Sequence, residues 1–357
     1  MLWTIKNLLR KLSLYGIDVT WFKNYLSGHT QKVKVDRSEG EPIFSSSLPN
    51  DIGVFQGGSL SCLLYSIYAN DMSLHVHDVE VTQFADDTQL LISGPKRNIT
   101  QMIQVLERAL NDLYDWFCDN RLKVNEKKTQ MIVFGTKAML KNFPAVTINF
   151  RGTIIQESRT VKNLGLYMDR YLNFTDHVSR LVSKCTGTLI ALIHIKHTLP
   201  RSAIRPIVNA LVMSSVRYCL AIYGTCTSTE KHRVQKIINF AARVISGKKK
   251  FEHISDVMRE FNWLSVTQLV DYHRSQLVHK VVKTGMPETL HACLVTGESH
   301  NHDTRYSSLM SLPRIRTETG RRQLAYSGVQ IYNSIIQRMR ENTFKATLLK
   351  SLRGEYG

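Results

Sequence analysis

Phe84-Ala85-Asp86-Asp87-Thr88 lies between two short runs, Val79-Glu80-Val81-Thr82-Gln83 and Gln89-Leu90-Leu91-Ile92-Ser93. Both flanks are rich in Val, Thr, Leu and Ile, which predicts two strands joined at the acidic residues. Neighbouring carboxylates repel each other, and burial adds to the cost of keeping them charged. A divalent cation removes that cost. Mg²⁺ or Mn²⁺ takes hard carboxylate oxygens, and two such ions can clamp the attacking and leaving oxygens of a phosphoryl transfer. Taken alone, Asp-Asp also reads as plain turn chemistry, because Asp favours tight turns.

Working outward, Gly53-Val54-Phe55-Gln56-Gly57-Gly58-Ser59-Leu60 reads as a glycine-rich turn that opens onto a helix. Leu60, Leu63, Leu64, Ile67 and Tyr68 follow helical spacing, and Ser59 is the expected N-cap. Downstream, Ile99, Met102, Ile103, Leu106, Leu110, Leu113, Trp116 and Phe117 predict a long amphipathic helix. The chain then turns through Asn125-Glu126-Lys127-Lys128-Thr129 into an expected strand, Gln130 to Phe134, and reaches Asn163-Leu164-Gly165-Leu166-Tyr167-Met168-Asp169.

In that order and at that spacing the four blocks resemble the palm of the reverse transcriptases of non-LTR retrotransposons, the jockey-like RNA-directed DNA polymerases. The resemblance implies template-directed nucleotide addition, with a primer 3′-hydroxyl attacking an α-phosphate while Mg²⁺ (or Mn²⁺) stabilises the developing charge. Asp86 is then the principal metal ligand and Asp87 the secondary one. Gln56 and Gly57, with Phe55 before them, fall beside the templating base and the incoming dNTP. Lys128 matches the family's Lys-Thr pair and is the candidate acid for the departing pyrophosphate; it also reads as a solvated lysine before a strand. Leu164 and Gly165 fall at the primer 3′ end. The family usually has Pro where Phe55 stands and Ser where Gly58 stands, which implies a looser turn here.

In that family a segment like Leu12 to Val35 directly follows the block that supplies the other metal-binding aspartate. This chain starts with Met1 at about that point. Asp18 and Asp36 sit at a helix start and a strand end, so neither replaces it. The expectation is an N-terminally truncated palm with little or no polymerase activity. The alternative is a non-catalytic nucleic-acid-binding remnant that keeps a basic thumb and tail. An intron-type maturase shares the palm but implies a different thumb and tail.

Charge agrees with a polyanionic partner. Lys and Arg number 47 against 29 Asp and Glu, a net +18 that favours nucleic acid over neutral ligands. No Lys/Arg-rich helix with a bulky aromatic face favours an anionic membrane instead. No apolar run approaches the roughly 20 residues of a membrane span. Met1-Leu2-Trp3 leads into an amphipathic helix with Leu2, Ile5, Leu8, Leu9 and Leu12 on one face and Lys6, Arg10 and Lys11 as polar positions. That is not a secretory signal, so the expected location is intracellular, nuclear and/or cytoplasmic. The expected partners are an RNA template, a DNA primer and dNTP, with no membrane; protein partners are left open by the sequence.

Cys62, Cys118, Cys185, Cys219, Cys226 and Cys293 contain no Cys-x-x-Cys, which argues for free thiols rather than disulfides or a zinc knuckle. Cys219 and Cys226 with His232 form an imaginable ligand set, and buried thiols are the simpler reading. Gln31 to Asp36 alternates like a half-exposed strand whose lysines face a phosphate backbone or protect a sheet edge.

The expected fold is α+β. A truncated polymerase palm, an antiparallel sheet backed by helices, occupies residues 1–170 as partial fingers and palm. An α-helical thumb-like region follows over 171–282, its basic side made by Lys231, Arg233, Lys236, Arg243 and Lys248-Lys249-Lys250. A linker and basic C-terminal extension fill 283–357, with His291, His300 and His302 in a loop. Tyr332-Asn333-Ser334 stands where family members often carry Trp-Asn-Ser.

Overall fold

A computed structural model describes residues 5–38, 40–50, 53, 54, 57–295, 309–338 and 344–354. The chain divides into two compact units, residues 1–133 with 137–158, and residues 134–136 with 159–357.

The first unit starts with α1 (Ile5–Leu14) and α2 (Val19–Leu26). Leu8 and Leu12, one turn apart on α1, are wholly buried. Asp18 caps α2, its carboxylate accepting from the Thr20 amide at 2.9 Å and the Thr20 hydroxyl at 2.8 Å. Two ribbons follow: β1 (Thr30–Gln31) pairs with β4 (Leu48–Pro49), and β2 (Lys34–Val35) with β3 (Ile43–Phe44), both antiparallel. These strand residues are all exposed, so the alternation at 31–36 selects no buried side, contrary to the half-exposed strand expected. Asp36 pairs with Lys34 at 2.8 Å.

After α3 (Ser61–Ala69), β5 (Glu80–Phe84) and β6 (Asp87–Leu91) form an antiparallel hairpin, and α4 (Ile99–Asp119) is the long helix expected there. Ala109, Leu113 and Trp116 of α4 share one core with Leu8, Leu12, Leu64, Tyr68 and Met72. Lys11, expected on the polar face of α1, is inside this core with its side chain 6% exposed. Its ammonium donates to the Tyr68 carbonyl at 2.6 Å and to Asp71 Oδ1 at 2.7 Å, and stands 4.6 Å from the Tyr68 ring centre. A buried charge survives only with such partners.

The expected strand Gln130 to Phe134 is replaced by a 3₁₀ turn, Glu126–Lys128, and by a single parallel bridge between Met131 and Glu157. After α5 (Lys137–Leu140), β7 (Thr147–Phe150) pairs with β8 (Thr153–Gln156) and packs on α4. The Asn149 amide reaches Glu107 Oε1 at 2.7 Å, and Phe150 meets Tyr114 edge-on at 5.9 Å. The strands of the described residues thus form separate antiparallel pairs, where an antiparallel sheet backed by helices was expected. Where an apolar strand face is covered, as in β5–β6, helices of the core supply the cover, and a hairpin so backed needs no third strand. The observed class is a mixture of helices and small antiparallel strand pairs.

The second unit opens with β9 (Thr160–Asn163) paired to β10 (Leu166–Asp169). The Asp169 carboxylate accepts the amides of Tyr171 (3.0 Å), Asn173 (3.2 Å) and Phe174 (2.6 Å), which shapes the entry to α6 (Thr175–Ile195). The run Thr175–Thr198 is long and apolar enough by composition to cross a membrane, a run that the sequence reading did not register. Its apolar side supplies Val178, Leu181, Leu189 and Leu192 to the core of this unit.

A bent stretch follows: α7 (Arg201–Val208), a π turn (Asn209–Met213) and α8 (Ser214–Arg217). Then come α9 (Leu220–Tyr223), α10 (Ser228–Ser246), α11 (Ser255–Glu260) and α12 (Val266–Thr284). Val208, Val216, Ile238 and Ala241 are wholly buried among them. Burial pushes the Cys185 and Cys226 thiols up to about 11, so both stay protonated, as structural thiols should.

Among the described residues, the chain continues in helices beyond Lys283. It forms α13 (Glu288–Val295), α14 (Glu318–Arg321), a π turn (Leu324–Gly328), α15 (Val329–Arg338) and α16 (Phe344–Arg353). Val329, Ile335, Phe344 and Leu348 pack with Val278 and Val281 of α12, an apolar spacing that the abundant basic residues obscure in the sequence. Asn333 exchanges two hydrogen bonds with the Met310 backbone, at 3.0 and 2.8 Å. His300 and His302 lie outside the described residues; His291 is on α13.

Three histidines of this unit, His177, His273 and His279, are held below their ordinary value of 6.5, first by burial. Below that value the unfolded chain takes up protons that the folded unit refuses, so stability is complete above about pH 6.5 and falls as the pH drops through it. Asp271, raised by burial, acts in the opposite sense at lower pH. Urea midpoints across pH 7.5 to 5 should therefore decline, and His177→Phe should flatten the decline; a flat profile for the parent chain contradicts it.

Candidate active site

The acidic pair occupies the tip of the β5–β6 hairpin. Phe84 pairs with Asp87, leaving Ala85-Asp86 as a two-residue loop. Positive φ falls on Ala85 (52°) and not on Asp86, the pattern of a type II′ turn whose first position favours glycine. The Gln83 amide steadies the tip by donating to the Ala85 carbonyl at 3.2 Å. A side chain in the left-handed region costs about 1–2 kcal/mol. Ala85→Gly should accordingly raise the stability of the first unit by about 0.5–1 kcal/mol. A urea midpoint that does not rise would show that the turn carries no such strain.

Both carboxylates are exposed, and neither forms an ion pair with a described residue. Below them, Val81 and Leu90 of the hairpin pack on the same core as Val54 and Leu60 of the glycine turn and Tyr65 of α3. Burial first, and then the Asp86 carboxylate, push the Tyr65 phenol up. Asp86 is therefore within electrostatic range of the helix that the glycine turn launches. Tyr65 escaped the sequence reading because it lies one position off the apolar stripe. Leu63, placed on that stripe, is 57% exposed, since α3 begins only at Ser61 and turns Leu64, Tyr68 and Ala69 inward.

Phe55 and Gln56 lie outside the described residues. Gly57 has φ of 85°, and an added Cβ would meet nothing within 4 Å, so its backbone is open to close approach. Ser59 is not the N-cap of α3. That position is Leu60 in helical geometry (φ −90°, ψ −11°) without a side-chain cap, because a preceding turn closes by the Ser61 amide reaching the Gly58 carbonyl at 3.1 Å. Lys128 ends the 3₁₀ turn with its amide 3.0 Å from the Asn125 carbonyl and its side chain exposed; among the described residues no hydrogen bond or ion pair joins it to the acidic pair.

Leu164 and Gly165 belong to the second unit, as the two-residue loop of β9–β10. Their φ values of 45° and 84° make it a type I′ turn. The Tyr218 hydroxyl donates to the Leu164 carbonyl, and its ring lies 3.4 Å from where a Gly165 Cβ would stand. No local signal points to Tyr218, which is 54 residues away in the chain.

The donor set at the hairpin fits a hard divalent cation. Mg²⁺ commonly takes one or two protein carboxylates and fills its remaining positions with water and substrate phosphate. Two adjacent exposed acids without an ion pair to any described residue meet that description. Asp18, Asp36 and Asp169 are engaged elsewhere, as a cap, an ion pair and a loop anchor.

Residues 4–168, which carry the paired acids, the glycine turn and its helix, match the family model for "Reverse transcriptase (RNA-dependent DNA polymerase)". This part of the chain is a reverse transcriptase domain. Similarity to RNA-directed DNA polymerases of mobile elements extends over more of the chain than this domain. It is 26% identical over 260 residues to the "RNA-directed DNA polymerase from mobile element jockey" of Drosophila melanogaster, a match covering 70% of this chain and 27% of that protein. It is 27% identical over 274 residues to the "Probable RNA-directed DNA polymerase from transposon BS" of the same organism, covering 73% of this chain and 29% of that protein. The chain thus spans well under a third of the length of these relatives. No solved structure matches it.

Proposed function

We propose that Asp86 and Asp87 are the metal-binding carboxylates of an RNA-directed DNA polymerase palm, and that the helices of the second unit act as its thumb. The single observation that carries this reading is the common core beneath the acidic hairpin and the Gly57 turn, with Asp86 acting electrostatically on Tyr65. Asp86 and Asp87 hold Mg²⁺ or Mn²⁺, which when bound supplies Lewis-acid stabilisation of a phosphoryl group under attack. Gly57, open on its Cβ side, lets the dNTP and templating base come against backbone. Lys128 offers an exposed ammonium to the departing pyrophosphate. Leu164 and Gly165, pinned by Tyr218, present backbone to the primer. RNA template, DNA primer and dNTP are the substrates.

A second reading is a nucleic-acid-binding remnant with little or no turnover. It is favoured by the metal site itself: among the described residues no group of three or more His, Cys, Asp or Glu side chains could hold a metal ion. Two carboxylates alone bind Mg²⁺ weakly, and primer extension by this chain should be at background.

The metal site can be tested without turnover. With Fe²⁺ and ascorbate in place of Mg²⁺, backbone cleavage is expected beside residues 84–88, and Asp86→Asn should abolish it. Cleavage elsewhere, or unchanged cleavage in the variant, removes the site. Robust Mg²⁺-dependent synthesis that disappears in Asp86→Asn overturns the remnant reading and leaves the polymerase.

A further inference from the structure

We propose that the loop Lys248-Lys249-Lys250-Phe251 is a contact site for single-stranded nucleic acid, with the Phe251 ring as the platform for one unstacked base and Lys249 and Lys250 as phosphate partners. Phe251 is 91% exposed, the most exposed large apolar side chain among the described residues. A lone exposed apolar residue is ordinarily unremarkable, so the surroundings decide.

The loop is built rather than slack. Gly247, in left-handed geometry with φ of 77°, ends α10, and its amide reaches the Arg243 carbonyl at 2.8 Å. The Arg243 guanidinium donates to the carbonyls of Lys249 (3.3 Å) and Glu252 (3.4 Å) from within the turn. Lys248 donates to the His253 carbonyl at 2.9 Å and pairs with Asp256, while the Glu252 carboxylate accepts the Lys249 amide. Three of the local charges are thus used to hold the backbone. Lys249 and Lys250 are not: both side chains are exposed, and neither forms an ion pair with a described residue. The Lys250 ammonium stands 5.6 Å from the centre of the Phe251 ring.

A firmly held turn therefore presents, side by side, one aromatic face and two cations that make no ion pair with a described residue. Aromatic stacking combined with attraction to backbone phosphates is the chemistry of sequence-tolerant single-strand binding. A duplex keeps its base faces stacked on one another, so the ring discriminates for single strands. An anionic membrane is the weaker partner, because one ring on a polar turn offers no amphipathic helical face to bury. The inference shares with the polymerase reading only the premise that this chain meets nucleic acid; it needs neither metal nor turnover.

The test is fluorescence anisotropy with the full chain in EDTA, without nucleotides, using labelled oligo(dT) and a blunt duplex of the same length. Phe251→Ala should weaken oligo(dT) binding about tenfold, leave the duplex within about twofold, and be rescued by Phe251→Trp. Replacing Lys249 and Lys250 by Gln together should make the salt dependence shallower by about 1.4 in log–log slope, roughly 0.7 for each lost phosphate contact. Unchanged oligo(dT) affinity in Phe251→Ala overturns the proposal, as does an equal loss on the duplex. So does a Phe251-dependent loss confined to phosphatidylserine vesicles, which would assign the loop to a membrane. Because EDTA removes metal, none of these outcomes depends on Asp86 and Asp87.

Discussion

Arg274→Met should lower the stability of the second unit by about 3–4 kcal/mol, the largest loss expected of any single change here. Arg274 lies on α12 with 5% exposure, and its guanidinium ties three segments together. Nε donates to the Ala221 carbonyl at 3.0 Å, Nη2 to the Arg322 carbonyl at 2.8 Å, and Nη1 to the Ser327 hydroxyl. Burial lowers its pKa, and Asp271 opposes that shift. Methionine keeps much of the apolar stem but leaves two carbonyls and a hydroxyl without their donor. At about 2–4 °C per kcal/mol for a unit of this size, Tm should fall by roughly 6–16 °C. Arg274→Lys should recover less than half of the loss, since a single ammonium cannot reproduce the planar fork. A Tm within a degree of the parent for Arg274→Met would show that the C-terminal helices are held by apolar packing alone.

Lys11→Met should cost the first unit about 2–3 kcal/mol. The change leaves the Tyr68 carbonyl without its donor and Asp71 without its cation, and removes the ammonium from the faces of Tyr68 and Trp116. The cost is below that of a fully buried pair because the Asp71 side chain is 36% exposed and can turn to water. Adding Asp71→Asn to Lys11→Met should restore part of the loss, and a double-mutant cycle should give a coupling of about 1 kcal/mol. Additive effects would mean that the ion pair contributes nothing and that the carbonyl contact carries the cost. The consequence reaches the candidate site, because Tyr68 lies one turn beyond Tyr65 on α3. A loosened α3 should weaken Fe²⁺ cleavage at the acidic hairpin without any change to Asp86 or Asp87.

The parts of this protein that could be read along the chain are those whose partners are local. The β5–β6 hairpin needed only its flanking β-branched residues, and α4 announced itself by apolar spacing. Asp18 behaves as a cap because a cap bonds two residues ahead. Readings failed where a neighbour distant in sequence competed. Gln130 to Phe134 has the composition of a strand, yet its residues make one bridge while β7 and β8 pair with each other. Ser59 has the chemistry of a cap, but the turn at Gly58 to Ser61 moves the start of α3 beyond it. Lysines and arginines counted as a nucleic-acid face prove divided. Arg233 is bound to Glu230 and Ser179, and Arg243 and Lys248 hold a loop, whereas Lys249 and Lys250 remain free of ion pairs with described residues.

Order along the chain was enough to identify the paired acids, the glycine turn, the helical second half and the strong net positive charge, since each depends on residue type and near spacing. Folding in three dimensions alone could decide that Lys11 and Arg274 lie inside, that Tyr65 meets the field of Asp86, and that Tyr218 holds the Leu164 carbonyl. The reason is that burial and electrostatic partnership arise from segments tens of residues apart, and an identical lysine or arginine on a solvated face carries the same letter.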